Sequence, residues 1–193
     1  MGQLGFYFNM KRCIGCRACQ VDCADRNHLE PGIAFRRVRD FEVGQFPNPG
    51  AYFYSATCNH CQEAKCVKGC PTGAMHHDAD GTVQHDKSKC VGCQYCVMNC
   101  PYGVPQFFPK DGIVSKCDSC KPLREAGQDP VCVASCVMRA LEFGDLDVLR
   151  QKHGHELVNE LPILPKAEVT KPSLLVEAKA CALDDEYRNA GTF

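Results

Sequence analysis

Apolar residues along this chain come in short bursts, too brief for long helices and separated by polar, glycine- and proline-containing stretches. GFYFN (5–9) and ALEFG (140–144) predict two short strands. FRRVRDFEVG (35–44) and AYFYSAT (51–57) predict further β-structure that caps one side of the molecule. TGAMHHDADGTVQHDKSK (72–89) predicts two short strands around the hairpin signal Asp80-Gly81. DLDVLRQKHG (145–154) predicts a helix that stops at Gly154. Beyond it, LPILPKAEVTKPSLLVE (161–177) carries three prolines and little periodicity, which predicts either an extended arm wrapping another subunit or a disordered tail. No segment approaches the roughly 18 apolar residues of a membrane helix, so no direct membrane insertion is expected.

Composition changes this picture through one residue type. Hydrophobic content of 45% is ordinary, but 17 of the 193 residues are cysteine. The charge is nearly balanced, 22 Lys+Arg against 23 Asp+Glu, which argues against a nucleic-acid partner. The start, MGQLGFYFNMKRC, has no apolar run of signal-peptide length before the cysteines begin. The thiols are therefore read as metal ligands in a reducing compartment rather than as a disulfide scaffold.

Sixteen of the cysteines fall into four groups: Cys13, Cys16, Cys19, Cys23; Cys58, Cys61, Cys66, Cys70; Cys90, Cys93, Cys96, Cys100; and Cys117, Cys120, Cys132, Cys136. Gaps of two, two and three residues recur in the first and third groups, and all four groups end in C-x3-C. The repeat matches the bacterial ferredoxin run C-x2-C-x2-C-x3-C-P, in which three thiolates hold one [4Fe–4S] cube and the fourth reaches the neighbouring cube. Gly15 and Gly92 free the backbone between cysteines, while Pro71 and Pro101 turn the chain away behind the fourth. Zinc uses C-x2-C knuckles separated by a longer loop, and three cysteines at two-residue gaps exceed one knuckle. An odd total at i, i+3, i+6 spacing also makes disulfide pairing awkward.

Groups two and three, joined by the short hairpin linker, read as a complete two-cluster ferredoxin. The outer groups then need each other, closed by GFYFN and ALEFG. The predicted fold is α+β: two nested bacterial-ferredoxin-like units with short strands and helices around four iron–sulfur clusters, plus an extended C-terminal arm. Residues 1–49 and 112–150 form the outer unit, 50–111 the inner unit and 151–193 the arm. The crossing rule assigns Cys13, Cys16, Cys19 and Cys136 to one cluster, and Cys117, Cys120, Cys132 and Cys23 to a second. Cys58, Cys61, Cys66 and Cys100 hold a third, and Cys90, Cys93, Cys96 and Cys70 a fourth. Four [4Fe–4S] clusters in a small protein make most sense as an electron wire.

Other residues add less. His60, inside Cys58-Asn-His-Cys61, reads as packing beside a cluster rather than as an iron ligand, because its group keeps all four cysteines. His76 and His77 are adjacent on a predicted strand and face opposite ways, so they read as surface residues. Lys11, Arg12, Arg17, Lys65, Lys68, Lys116 and Lys121 crowd the cysteine loops, where they serve solubility, offset anionic clusters, or do both. Cys181 stands alone as a free thiol. No catalytic constellation is present.

CVGCQYCVMNCPYGVPQF, SKCDSC and PVCVASCVMRALEFGDLDVLRQKHG, with GFYFNMKRCIGCRACQVDC and ATCNHCQEAKCVKGCPTGAMH, resemble the iron–sulfur subunit of the dimethyl sulfoxide reductase family of molybdopterin oxidoreductases. The likeness covers roughly residues 3–172. It departs from the usual Cys-Pro ending at Cys23-Ala24 and Cys136-Val137. Nitrate-reductase-type relatives place Trp at the position of Cys93 and hold a [3Fe–4S] cluster there, so the Cys93 of this chain implies four [4Fe–4S] clusters. The resemblance further implies a non-catalytic electron-transfer subunit with a molybdopterin catalytic partner and a possible membrane anchor subunit. It implies membrane association through partners, on the outer face by co-export with a twin-arginine partner, or else a cytoplasmic complex. A free-standing soluble polyferredoxin is the alternative, and a zinc-binding interaction module a third.

Overall fold

The computed structural model describes residues 2–154 and 156–190. Strand β1 (Leu4–Asn9) is the centre of a three-stranded sheet. β8 (Leu141–Asp145) pairs with it antiparallel, Phe6 opposite Phe143, as the paired strand signals GFYFN and ALEFG anticipate. Because side chains alternate across a strand, β1 feeds two cores. Phe6 and Phe8 enter the main core with Val38, Phe41, Tyr52 and Leu141. Tyr7 points the other way, against Leu149, Leu157 and Leu175.

That second face is covered by α6 (Leu146–His153), the helix expected from DLDVLRQKHG. Asp145 caps it by accepting from the N–H groups of Asp147 (2.9 Å) and Val148 (3.3 Å), and Gly154, at φ 88°, ends it. His153 lies flat on the Tyr7 ring with centroids 3.7 Å apart.

The predicted cap is a second three-stranded sheet. In it β2 (Arg37–Val43) and β3 (Gly50–Ala56) pair antiparallel, and the Phe41 and Tyr52 rings stack across the ladder at 5.2 Å. Two small ribbons complete the β-structure. β4 (Met75–His77) and β5 (Val83–His85) flank the turn at Gly81, as expected, and β6 (Gln106–Phe108) pairs with β7 (Ile113–Ser115). The remaining α-helices are short: α1 (Ala18–Arg26), α2 (Lys65–Lys68), α3 (Tyr95–Asn99), α4 (Lys121–Glu125) and α5 (Val131–Ala134). α1 packs on α5, and α2 on α3. No helix among the described residues is long and apolar enough to cross a membrane.

The segment after Gly154 is extended, but it lies on its own chain. β9 (Leu174–Glu177) runs parallel to β1, with Leu174 beside Phe6 and Leu175 beside Tyr7, and completes the order β8-β1-β9. β10 (Tyr187–Asn189) adds to the free edge of β2, giving β10-β2-β3. The cause is the apolar run Leu174-Leu175-Val176. It suits a strand buried on both faces, and it covers the second edge of β1, which would otherwise stand unpaired.

This packing sets a stability contrast. Leu175 is 1% exposed in the Tyr7 core, whereas Val148 on α6 is 61% exposed. Leu175→Ala should cost about 2–5 kcal/mol, and Val148→Ala should stay within about 0.5 kcal/mol. Chemical denaturation at matched iron loading measures both.

Candidate metal centres

In each cysteine group, the residue directly before the second cysteine takes a left-handed conformation: Gly15 (φ 70°), His60 (φ 42°), Gly92 (φ 67°) and Ser119 (φ 57°). This turn curls the loop so that successive thiols face one point. Glycine is the residue best suited to it at two of the sites. Even a Cβ at Gly15 would meet the Phe53 ring at 2.5 Å, and one at Gly92 the Gly112 carbonyl at 2.1 Å. After each loop a short helix carries the third cysteine: Cys19 on α1, Cys66 on α2, Cys96 on α3 and Cys132 on α5. On α1 the four residues from Cys19 to Cys23 advance the chain about 6 Å, and in the other groups the fourth cysteine lies just beyond the helix end.

The thiols meet across groups. Burial pushes the Cys13 thiol up, and the thiols of Cys19, Cys136 and Cys16 beside it push further, against the opposing Gly15 N–H. These four line one small cavity with Phe8, Val38 and Leu141. Burial pushes Cys23 up to about 12; Arg36 opposes the shift, while Cys132 and Cys120 add to it. The Cys117 thiol, raised by burial, feels Cys23, Cys58 and Cys132. Cys61 and Cys66 are each pushed up to about 12 by burial and face Cys58 and Cys100. This set lines a second cavity with Lys116, Tyr102 and Thr170. Cys96 is pushed up to about 11 by burial, with Cys70, Cys90 and Cys93 around it. Burial works against Cys70 too, but the Met75 N–H (3.4 Å from Sγ) and the Thr72 hydroxyl and N–H hold it below its ordinary value.

All seventeen cysteines are free thiols. Among the described residues, no three His, Cys, Asp or Glu side chains close on a single ion. Two of the sets instead line small cavities. A tetrahedral zinc site draws its sulfurs to within about 2.3 Å of one atom. Crowded, buried thiols resist ionisation alone and become thiolates when a cationic core neutralises them, so the donor sets fit iron–sulfur cubes.

The basic residues divide. Lys11 pairs with Glu177, Arg17 with Asp40, Lys68 with Glu63 and Lys121 with Asp78, all near the surface, and Arg12 and Lys65 are exposed. Lys116 is buried, donating through Nζ to the carbonyls of Val83 and Cys117. His60 is fully buried; its Nδ1 accepts from the Val83 N–H at 3.1 Å, and burial first, then Lys116 and Arg124, hold the ring far below its ordinary value and neutral. His76 and His77 are exposed. Cys181 sits against Ala51, in the 3₁₀ turn Ala180–Leu183, at the edge of the main core.

Arg36 escapes a reading based on sequence. It is buried beside the thiols of Cys132, Cys19, Cys117 and Cys23, yet nothing in FRRVRDFEVG separates it from Arg37 and Arg39.

Residues 50–146 match the family described as "4Fe-4S dicluster domain". The chain is 42% identical over 186 residues to the B subunit of the anaerobic dimethyl sulfoxide reductase of Escherichia coli (strain K12), covering 92% of this chain and 90% of that subunit. It is 44% identical over 140 residues to the thiosulfate reductase electron transfer subunit PhsB of Salmonella typhi, covering 71% and 73%. It is 38% identical over 173 residues to protein NrfC of Escherichia coli (strain K12), covering 84% and 78%. With loops that bring thiols from different groups together, this chain belongs to the [4Fe–4S] iron–sulfur subunits of the dimethyl sulfoxide reductase family.

Proposed function

We propose that the chain is the electron-transfer subunit of a molybdopterin reductase complex and holds four [4Fe–4S] clusters in a row. Cys13, Cys16, Cys19 and Cys136 hold the first, and Cys23, Cys117, Cys120 and Cys132 the second. Cys58, Cys61, Cys66 and Cys100 hold the third, and Cys70, Cys90, Cys93 and Cys96 the fourth. The observation that carries this reading is the order of the thiol sets. Cys132 lies near Cys19, Cys117 near Cys58, and Cys66 shares an apolar cluster with Cys96. The exposed cysteines, Cys16 and Cys93, fall in the two end sets. A row with a solvent-facing member at each end suits electron passage between two partners.

When bound, the cubes accept and release single electrons; the chain's residues hold them close and keep water from the middle of the row. Ile14, Val137 and Met138 stand exposed beside Cys16 and Cys136 in sequence, and Val91, Tyr95 and Met98 around Cys93. These apolar rims suit docking of a molybdopterin catalytic subunit at one end and a membrane quinol subunit or other redox partner at the other. The complex then works at the membrane through its partners, on the outer face after co-export with a twin-arginine partner. The pairing of β1 with β8, and of α1 with α5, supports an outer ferredoxin-like unit of residues 1–49 and 112–150 around an inner unit of 50–111.

Anaerobic analysis of the chain should find about sixteen irons, four per cube; a zinc-dominated result, or iron for two cubes only, would refute the row of four. Purified from its host, the chain should bring a large molybdenum protein with it, whereas a soluble polyferredoxin would run alone. Cys181→Ala should leave iron content and the reduced-state EPR spectrum unchanged.

Crossed ligation gives a sharper test. Cys70→Ala with Cys93→Ala touches one cluster and should lose at most about four irons, while Cys70→Ala with Cys61→Ala touches two and should lose up to about eight. The reverse order of losses would mean that each sequence group builds its own cube.

A further inference from the structure

Arg36 has a setting unlike the other arginines near the thiols. Arg17 and Arg124 pair with Asp40 and Asp80 at 2.8 and 2.9 Å. Arg36 is 1% exposed, and the titratable groups that act on it most strongly are the thiols of Cys132, Cys19, Cys117 and Cys23. Its Nη1 donates to the Ser55 carbonyl (3.2 Å) and hydroxyl (2.9 Å), and that hydroxyl lies 3.5 Å from Cys19 Sγ. Its guanidinium carbon stands 4.7 Å over the Phe6 ring. Its buried Nη2 has no hydrogen-bond partner among the described residues.

A guanidinium cannot shed its proton to escape burial. A buried cation without a counter-charge is strongly disfavoured, and neutral hydrogen bonds to Ser55 offset only part of that cost. The thiol sets on either side supply the missing anions only as thiolates around iron, where each cube with four thiolates is net negative and gains one more negative charge on reduction. In a site dried by burial, a fixed positive charge favours the more negative form.

We infer that Arg36 is the shared counter-charge of the first two clusters, a positioning residue that bridges their thiolates and holds both reduction potentials up. This rests on the row of clusters proposed above. It assigns the first junction a residue whose charge, rather than its bulk, matters to electron passage. Cys19 belongs to one set, and Cys23, Cys117 and Cys132 to the next, so a single side chain biases both in the same direction. The four thiols that act on it most strongly all belong to the first two sets, so those two clusters should respond most.

The test is a redox titration of the full reconstituted chain, followed by EPR, with dithionite as reductant and mediators as electron carriers. Arg36→Gln keeps a donor near Ser55 but removes the charge. It should retain its iron while two of the four one-electron steps become at least tenfold harder, a shift of about 59 mV to lower potential. Arg36→Lys restores the charge and should recover most of that shift. Full iron content with unchanged potentials in Arg36→Gln would overturn the inference.

If Arg36→Gln sheds iron, Arg36→Lys decides the matter. Iron retained with near-normal potentials supports the charge. Iron lost in the lysine variant as well makes the guanidinium hydrogen bonds the requirement and refutes it. A wild-type chain without iron would instead refute the electron-transfer reading itself.

Discussion

Thiolates repel one another, and this chain gathers thiols into sets in which burial pushes Cys23, Cys61 and Cys66 up to about 12. The interior is therefore organised around sulfur as well as hydrocarbon. Among the described residues, three of the four apolar clusters contain cysteines of the sets, and only the one around Tyr7, Leu149, Leu157 and Leu175 is free of them. A core of this kind gains much of its cohesion when iron replaces the protons, so metal binding and folding are one process. The same demand keeps the helices short. A loop that must turn left-handed between cysteines cannot continue as a helix through them.

Charge follows from the same cause. Most cations near the loops reach the surface and pair with carboxylates there, where solvent screens them. Two do not. Arg36 lies between the first two thiol sets, and Lys116 lies beside Cys66, next in sequence to Cys117. Burying these cations is tolerable only because the surrounding thiols can become anions. The buried histidine nearby, His60, stays neutral in the same surroundings, where Lys116 and Arg124 discourage a further positive charge.

Much of this was legible in the sequence because the signals are local. Cysteine spacing, the Asp80-Gly81 hairpin, the capped helix ending at Gly154 and the strands that became β1, β2, β3 and β8 all announce themselves within ten residues or so. The C-terminal segment did not. Whether Leu174-Leu175-Val176 joins this chain's sheet or another's depends on an open edge of β1, which lies about 170 residues earlier and leaves no mark on the run itself. Arg36 was hidden for a related reason. Arg36 lies in the bend just before β2, where no strand pattern marks a buried side chain, and nothing local says that it meets sulfur.

The junctions between thiol sets are not all built alike. Between the first and second sets, Cys19 and Cys23 share α1, and Cys132 and Cys136 flank the end of α5. Between the third and fourth, Cys66 and Cys70, and Cys96 and Cys100, are tied by α2 and α3 in the same way. A turn of helix thus fixes both separations through covalent geometry. The middle junction has no such link. It rests on Cys117 and Cys58 meeting in a small apolar cluster with Cys23 and Phe35, where Phe35 also packs on Phe108 at 6.0 Å. In the proposed row, spacing at the two outer junctions is written into C-x3-C, whereas spacing at the centre depends on how tightly residues far apart in sequence pack. Core packing tolerates little change in volume before neighbours shift. Continuity of the row is therefore most exposed to substitution at Phe35 and Phe108, which touch no thiolate in the way a ligand would.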